Sequence, residues 1–288
     1  MNTVHEFHYR ITSRISGHRP GSHRGASLGA GQEFAAHARL FDSPDPRRLD
    51  LRASLRNVRE EWLVRTYRQR AAVSVHAVID VSPSMHFGSS RSKLEVVGDF
   101  VASLGRSAFR VGDPVGMLAF DTVVRDDLSL PPTHSRGIGL VMQHMLRNCR
   151  QIEDRKGSGG AGCQRSLARL AGRPALVFLV SDFHWSLDVL PTLIASLASA
   201  CIVPIVVWDP AELEPPSRNA LLMLRDMESG QRRTLWRRPG IEVQWRDAVI
   251  RRRAELDTHF AGRSMRPFYA IGTFDPEALS RYFFESIS

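Results

Sequence analysis

Four short apolar runs, separated by helical patterns, restrict the folds open to this chain more than any other feature. They are "VSVHAVI" from Val73, "PVGMLAF" from Pro114, "ALVFLVSD" from Ala175 and "CIVPIVVW" from Cys201. Runs of this length, rich in β-branched residues and bounded by polar segments, read as strands buried on both faces. The segments between them carry helical periodicity. From Ser92 to Arg110, Leu94, Val97, Val101, Leu104 and Ala108 fall on one face, and Ser92 with Glu95 has capping-box spacing. "SRGIGLVMQHML" places Ile138, Val141, Met142 and Met145 together. Further helices are expected at 187–199, 241–262 and 275–286, with a strand in "RPFYAIG". Strands alternating with crossover helices imply an α/β fold: a six-stranded, mostly parallel sheet with helices on both faces.

The pattern begins only at Val73, and this sets the expected domains. Residues 1–70 read as an irregular N-terminal segment with short strands. Residues 71–208 and 241–288 form the α/β domain. Residues 209–240 read as an insertion containing a β-hairpin around Glu228-Ser229-Gly230. Gly157, Gly159 and Gly162 have GxGxxG spacing, but the polar "CRQIEDRK" precedes them where a dinucleotide fold needs a strand.

Composition removes several function classes. Cys149, Cys163 and Cys201 are an odd number without CxxC spacing, which fits a reducing compartment and excludes a thiolate zinc site. Val189 to Trp208 is free of charge and long enough to span a bilayer. Pro191, Pro204 and interspersed hydroxyls make it an amphipathic helix followed by a buried strand, so no membrane span is expected. The first residues lack an apolar leader. The expected location is cytoplasmic. Net charge is +9, and all but two of the 39 basic residues are arginine, Lys93 and Lys156 being the exceptions. Residues 1–70 hold 13 arginines against 7 acidic groups. Such patches attract nucleic acid. No aromatic platform or nucleic-acid motif accompanies them, and a solvated surface or docking to an acidic protein is the better match.

The first apolar run ends in "HAVIDVSPSMHFGSS". Asp80 closes the strand, and Ser82 and Ser84 follow at alternate positions, with Pro83 stiffening the loop between them. Ligands of open α/β sheets sit at such strand ends. Carboxylate and hydroxyl oxygens suit a hard cation: Mg²⁺ first, with Mn²⁺ or Ca²⁺ as alternatives. Asp182 ends a second buried run in "FLVSDF". Thr133 in "LPPTHSRG" is a candidate third-segment hydroxyl, with Ser135 as its rival.

"VIDVSPSMHFGSSRSK" resembles the metal ion-dependent adhesion site of von Willebrand factor A domains. "FDSPDPRRLDLRASLRN", "GDPVGMLAF", "LPPTHSRG", "VSDF" and "DPAELEPPS" extend the likeness. Together they are similar to the bacterial family of domain of unknown function number 58, from about Gly21 to the C-terminus. The resemblance implies a Rossmann-like von Willebrand factor A sheet. It also implies Asp80, Ser82, Ser84, Thr133 and Asp182 as metal ligands. The function it implies is a non-enzymatic adaptor for a MoxR-type AAA+ ATPase or its target, docked through a partner carboxylate. The alternatives are a Mg²⁺-dependent phosphatase using Asp80 and an arginine-driven nucleic-acid binder. The phosphatase lacks a second carboxylate at Ser82 and a lysine in a second motif.

Overall fold

The computed structural model describes residues 5–11, 20–29, 33–150, 159–214, 221–225, 232–236, 241–261 and 265–285. The chain divides into two compact units: Ile11–Val73, and Met1–Arg10 together with Ser74–Ser288.

In the smaller unit, β1 (Pro20–Gly29), β2 (Glu33–Arg39), α1 (Leu51–Leu55) and β3 (Leu63–Ala71) follow in order, and the strands form an antiparallel sheet ordered β1-β3-β2. Asp50 caps α1 by accepting the Ala53 amide at 3.0 Å, and Arg65 Nε donates to the same carboxylate at 2.8 Å. The strands, of 10, 7 and 9 residues, are longer than the short strands expected, and register shifts interrupt both pairings.

The larger unit runs β4 (Ser74–Asp80), α2 (Lys93–Val111), β5 (Val115–Phe120), β6 (Val124–Thr133), α3 (Ile138–Arg147), α4 (Gly159–Ala168), β7 (Ala175–Ser181), α5 (Leu190–Ser196) and β8 (Cys201–Trp208). It continues with α6 (Pro210–Leu213), β9 (Leu221–Arg225), β10 (Arg232–Trp236), α7 (Ile241–Ala261), β11 (Phe268–Ile271) and α8 (Pro276–Glu285). Six strands make one sheet in the order β11-β8-β7-β4-β5-β6. Every neighbouring pair is parallel except β5 and β6. The apolar runs supply the four middle strands, and β7 is buried along its whole length. β9 and β10 pair antiparallel, as a hairpin requires, but the turn at Glu228-Ser229-Gly230 lies outside the described residues.

Two boundaries fall elsewhere than the sequence pattern implied. Residues 5–10 belong with the α/β unit: Phe7 is fully buried, stacks near Phe100 and meets the edges of Phe178 and Phe274. The Phe7 amide also donates to Ser107 Oγ at 2.9 Å on α2. Asp209 and Glu212, at the head of the expected insertion, close over the sheet edge described below. Among the described residues, no helix is long and apolar enough to cross a membrane.

The chain leaves β4 toward β5 on one side, while β7 flanks β4 on the other. The carboxyl ends of β4 and β7 therefore border the crevice where the strand order reverses, the usual ligand position in an open α/β sheet.

Candidate functional site

Asp80 is the last residue of β4, and Asp182 directly follows β7. Both side chains are buried, at 0% and 1% exposure. Beyond Asp80 the chain turns through a short 3-10 segment, Pro83–His86, with Ser82 at its N-cap. Asp80 Oδ1 accepts the Ser82 amide at 2.9 Å. Its Oδ2 accepts the Ser181 hydroxyl at 2.7 Å and the Trp185 indole N–H at 3.2 Å. Ser82 Oγ and Ser84 Oγ lie 3.1 Å apart, and Ser84 lies near enough to Asp182 to help lower its pKa. Four of the five sequence-predicted ligands thus lie together: Asp80, Ser82 and Ser84 joined by hydrogen bonds, and Asp182 beside them.

Thr133, the fifth, is elsewhere. It ends β6 and pairs with Val115 at the start of β5, whereas Asp80 pairs with Phe120 at the end of β5. At about 3.3 Å per residue these positions are roughly 16 Å apart along the strand. Thr133 is exposed, and its hydroxyl donates to the Pro131 carbonyl at 3.1 Å. Ser135, two residues on, is exposed. Pro131 and Pro132, just before Thr133, sit on an edge strand, where a missing N–H is tolerated. The third segment beside Asp80 is α4. A Cβ at Gly159 would approach the Trp185 ring to 2.9 Å, and one at Gly162 would approach the Asp121 carbonyl to 2.1 Å. The opening residues of α4, "GGAGC", offer no hydroxyl.

Sequence reasoning missed four participants. Lys93, the first residue of α2, is 1% exposed, and its ammonium donates at 2.7 Å to both Asp182 Oδ2 and Glu212 Oε1. His184 Nε2 stands 3.4 Å from Glu212 Oε1. Asp182, His184 and Glu212 form a group with ligand-type atoms within 4.8 Å of one another. Asp209 holds the loop above them: its Oδ2 accepts the Ser89 amide at 2.9 Å, while Asp209 and Glu212 make a capping box on α6. Phe183, next to Asp182, has φ +54°, a costly conformation for a bulky residue and one that collects at functional sites.

The two carboxylates titrate in opposite directions. Burial, reinforced by the charge of Asp182, lifts Asp80 to about 6. Burial pushes Asp182 the same way, but His184, the Lys93 ammonium and the Ser84 hydroxyl outweigh it and hold Asp182 below the usual carboxylate range. Burial disfavours the charged form of Lys93, yet Asp182 and Glu212 keep it an ammonium. The same carboxylates raise His184 against its own burial. The DxSxS side of the site thus holds oxygen donors with a readily titrated acid, and the far side holds a fixed internal cation. Two carboxylates and two hydroxyls, with no sulfur, match the donor set of a hard divalent ion such as Mg²⁺.

Residues 41–255 match the model of a family described as "Protein of unknown function DUF58". No curated protein matches the chain. Among solved structures, the chain is similar to the conserved hypothetical protein BatB from Bacteroides thetaiotaomicron: 16% identity, TM-score 0.45, covering 75% of this chain and 99% of that one. It is also similar to an aerotolerance-related membrane protein from Bacteroides fragilis: 15% identity, TM-score 0.43, covering 75% and 98%.

Proposed function

For a chain that belongs to the DUF58 family, we propose a non-enzymatic, metal-dependent protein-docking module, with an α/β unit of the von Willebrand factor A type. The observation that carries this reading is the convergence of Asp80, Ser82, Ser84 and Asp182 at the switch point of the sheet. These four residues would hold the ion. Mg²⁺ is the first choice for an all-oxygen set that leaves room for retained waters, and Mn²⁺ or Ca²⁺ is the alternative. A bound divalent cation supplies a Lewis-acidic position that an Asp or Glu of the partner completes.

The protein's own residues prepare that exchange. Ser181 and Trp185 orient the Asp80 carboxylate from behind, and the Ser82 amide orients it from the loop. Neutral hydroxyls at Ser82 and Ser84 add donor oxygens without further negative charge. Lys93 offsets one of the two carboxylate charges at Asp182. Docking is supported over nucleophilic attack because Ser82 stands two residues after Asp80, where a phosphatase using Asp80 needs a second carboxylate as general acid. The proposed partner is a MoxR-type AAA+ ATPase or the protein it remodels, in the cytoplasm. This part of the reading rests on the family resemblance alone.

The test is capture of purified MoxR-type ATPase from the same genome, with Mg²⁺ and with chelator. Wild type should retain the ATPase only with Mg²⁺, and Asp80→Ala should retain none. Equal capture by both proteins in chelator would sink the docking mechanism.

A further inference from the structure

Next to the metal-ligand cluster, α7 and α6 leave a cavity of about 610 Å³. That volume is within the roughly 300–1,000 Å³ of small-ligand and side-chain sites. Trp208, Leu213, Trp245, Ala248 and Val249 are its apolar lining. The cavity is anchored: the Trp245 indole donates to the Glu212 carbonyl at 2.8 Å, and the Trp208 indole donates to the Asp182 carbonyl at 3.0 Å. Both tryptophans are therefore tied by backbone hydrogen bonds to the segments that carry the acidic cluster. His184 and Glu212 belong to the cavity wall and also to the group they form with Asp182, the ligand candidate nearest the cavity.

Two basic side chains, His184 and Arg252, and one carboxylate, Glu212, line the cavity, a balance that tolerates an acidic segment. The Glu212 carboxylate is already engaged by the Lys93 ammonium and by the Asp209 amide at 2.9 Å. On α7, Val243 and Ile250 stand 61% and 65% exposed, so the helix carries apolar surface outward as well.

We infer that this cavity is the specificity pocket of the docking site, taking an aromatic or branched apolar side chain that lies within a few residues of the partner's docking carboxylate. The inference rests on the docking function proposed above. The occupant is a peptide segment that pairs an acidic residue with a bulky apolar one. The metal position takes the acid, and the Trp208–Trp245 cavity takes the neighbour. Acidity alone would select few partners, because surface carboxylates are common. A buried apolar anchor beside the charge supplies the discrimination.

A displayed random heptapeptide library tests this, with the full chain as bait in Mg²⁺ and in chelator. The best peptide is then synthesised and titrated. Wild type should enrich sequences holding an Asp or Glu and an aromatic, Leu or Ile at fixed spacing. Replacing the apolar residue by Ala should weaken binding about tenfold or more, as expected for loss of a buried large side chain. Ala248→Trp fills the cavity from an exposed helix position, and Val249→Ser trims its wall. Both should reproduce that loss while leaving the circular dichroism spectrum unchanged. Peptides that need the apolar residue but ignore Mg²⁺ and Asp80→Ala would support the pocket and overturn metal docking. Mg²⁺-dependent acidic peptides indifferent to Ala248→Trp and Val249→Ser would overturn the pocket and leave metal docking standing. Absence of any enrichment would overturn the pocket.

Discussion

Lys93 is the residue on which this site turns. A cation at the first position of a helix opposes the helix dipole and is disfavoured there. The chain has only two lysines among 39 basic residues, and one of them occupies this position. That anomaly was the available signal, but its partners Asp182 and Glu212 are 89 and 119 residues away and no local pattern points to them. Lys93→Met would strand Asp182 as a buried, poorly compensated carboxylate, with an expected loss of about 3–5 kcal/mol, as for one half of a broken buried pair. Urea unfolding measures it, and a loss below about 1 kcal/mol would show that the ammonium is not needed to hold the site. Asp80 behaves oppositely. Its folded-state pKa, about 6, exceeds the usual 3.8, so folding favours the protonated form. Without metal, that contribution is fully present below about pH 3.8 and is lost as pH rises through 6, to a limit of about 3 kcal/mol. Asp80→Asn cannot titrate. The stability difference between wild type and Asp80→Asn, in chelator, should therefore move in favour of Asn between pH 4 and 7. A difference that stays flat across this window would show that Asp80 ionises normally.

At the scale of elements, legibility follows locality. The helix from Ser92 was readable because its start is written in four residues, and the structure has the full capping box there: the Glu95 amide donates to Ser92 Oγ and the Ser92 amide to Glu95 Oε2. Ser92→Ala should cost about 1 kcal/mol, the ordinary value of an N-cap. Because the cap sits one residue before Lys93, the loss should appear as a lower thermal midpoint and also as weaker protection of the first α2 amides in hydrogen exchange. Unchanged protection would separate the cap from the site. The four middle strands were readable for the same reason, each being a continuous apolar run. β6 was not. Its inner half is charged and its outer half carries Pro131-Pro132, a pattern that reads as loop. Only its place at the sheet edge, beside β5, makes it a strand. Thr133 was misplaced with it, since a hydroxyl before a helix reads as a strand-end ligand when the intervening strand is unseen. Asp80 and Asp182 were assigned to one edge because each closes a run whose direction in a parallel sheet is known. The closure by Asp209 and Glu212 was hidden inside a segment that looks inserted.

At the scale of the molecule, the site belongs wholly to the unit of Met1–Arg10 and Ser74–Ser288, so a bound ion should stabilise that unit's transition. The proposed ion would contact the native state through groups that converge only after β4 and β7 have paired. Unfolding separates them, and linkage then sets the effect: at ten times Kd the gain is about 1.4 kcal/mol. For a unit of this size that corresponds to roughly 3–6 °C in Tm. Asp80→Ala should abolish the shift, because it removes the carboxylate that Ser181, Trp185 and Ser82 hold in place. Thr133→Ala should leave the shift intact, since Thr133 lies at the opposite edge of the sheet. The pair of variants separates a site built at the switch point from the five-residue set that sequence alone implied. Differential scanning calorimetry with 10 mM Mg²⁺ and with chelator decides it. Loss of the shift in Thr133→Ala, or an undiminished shift in Asp80→Ala, would place the ion somewhere other than the Asp80–Asp182 crevice.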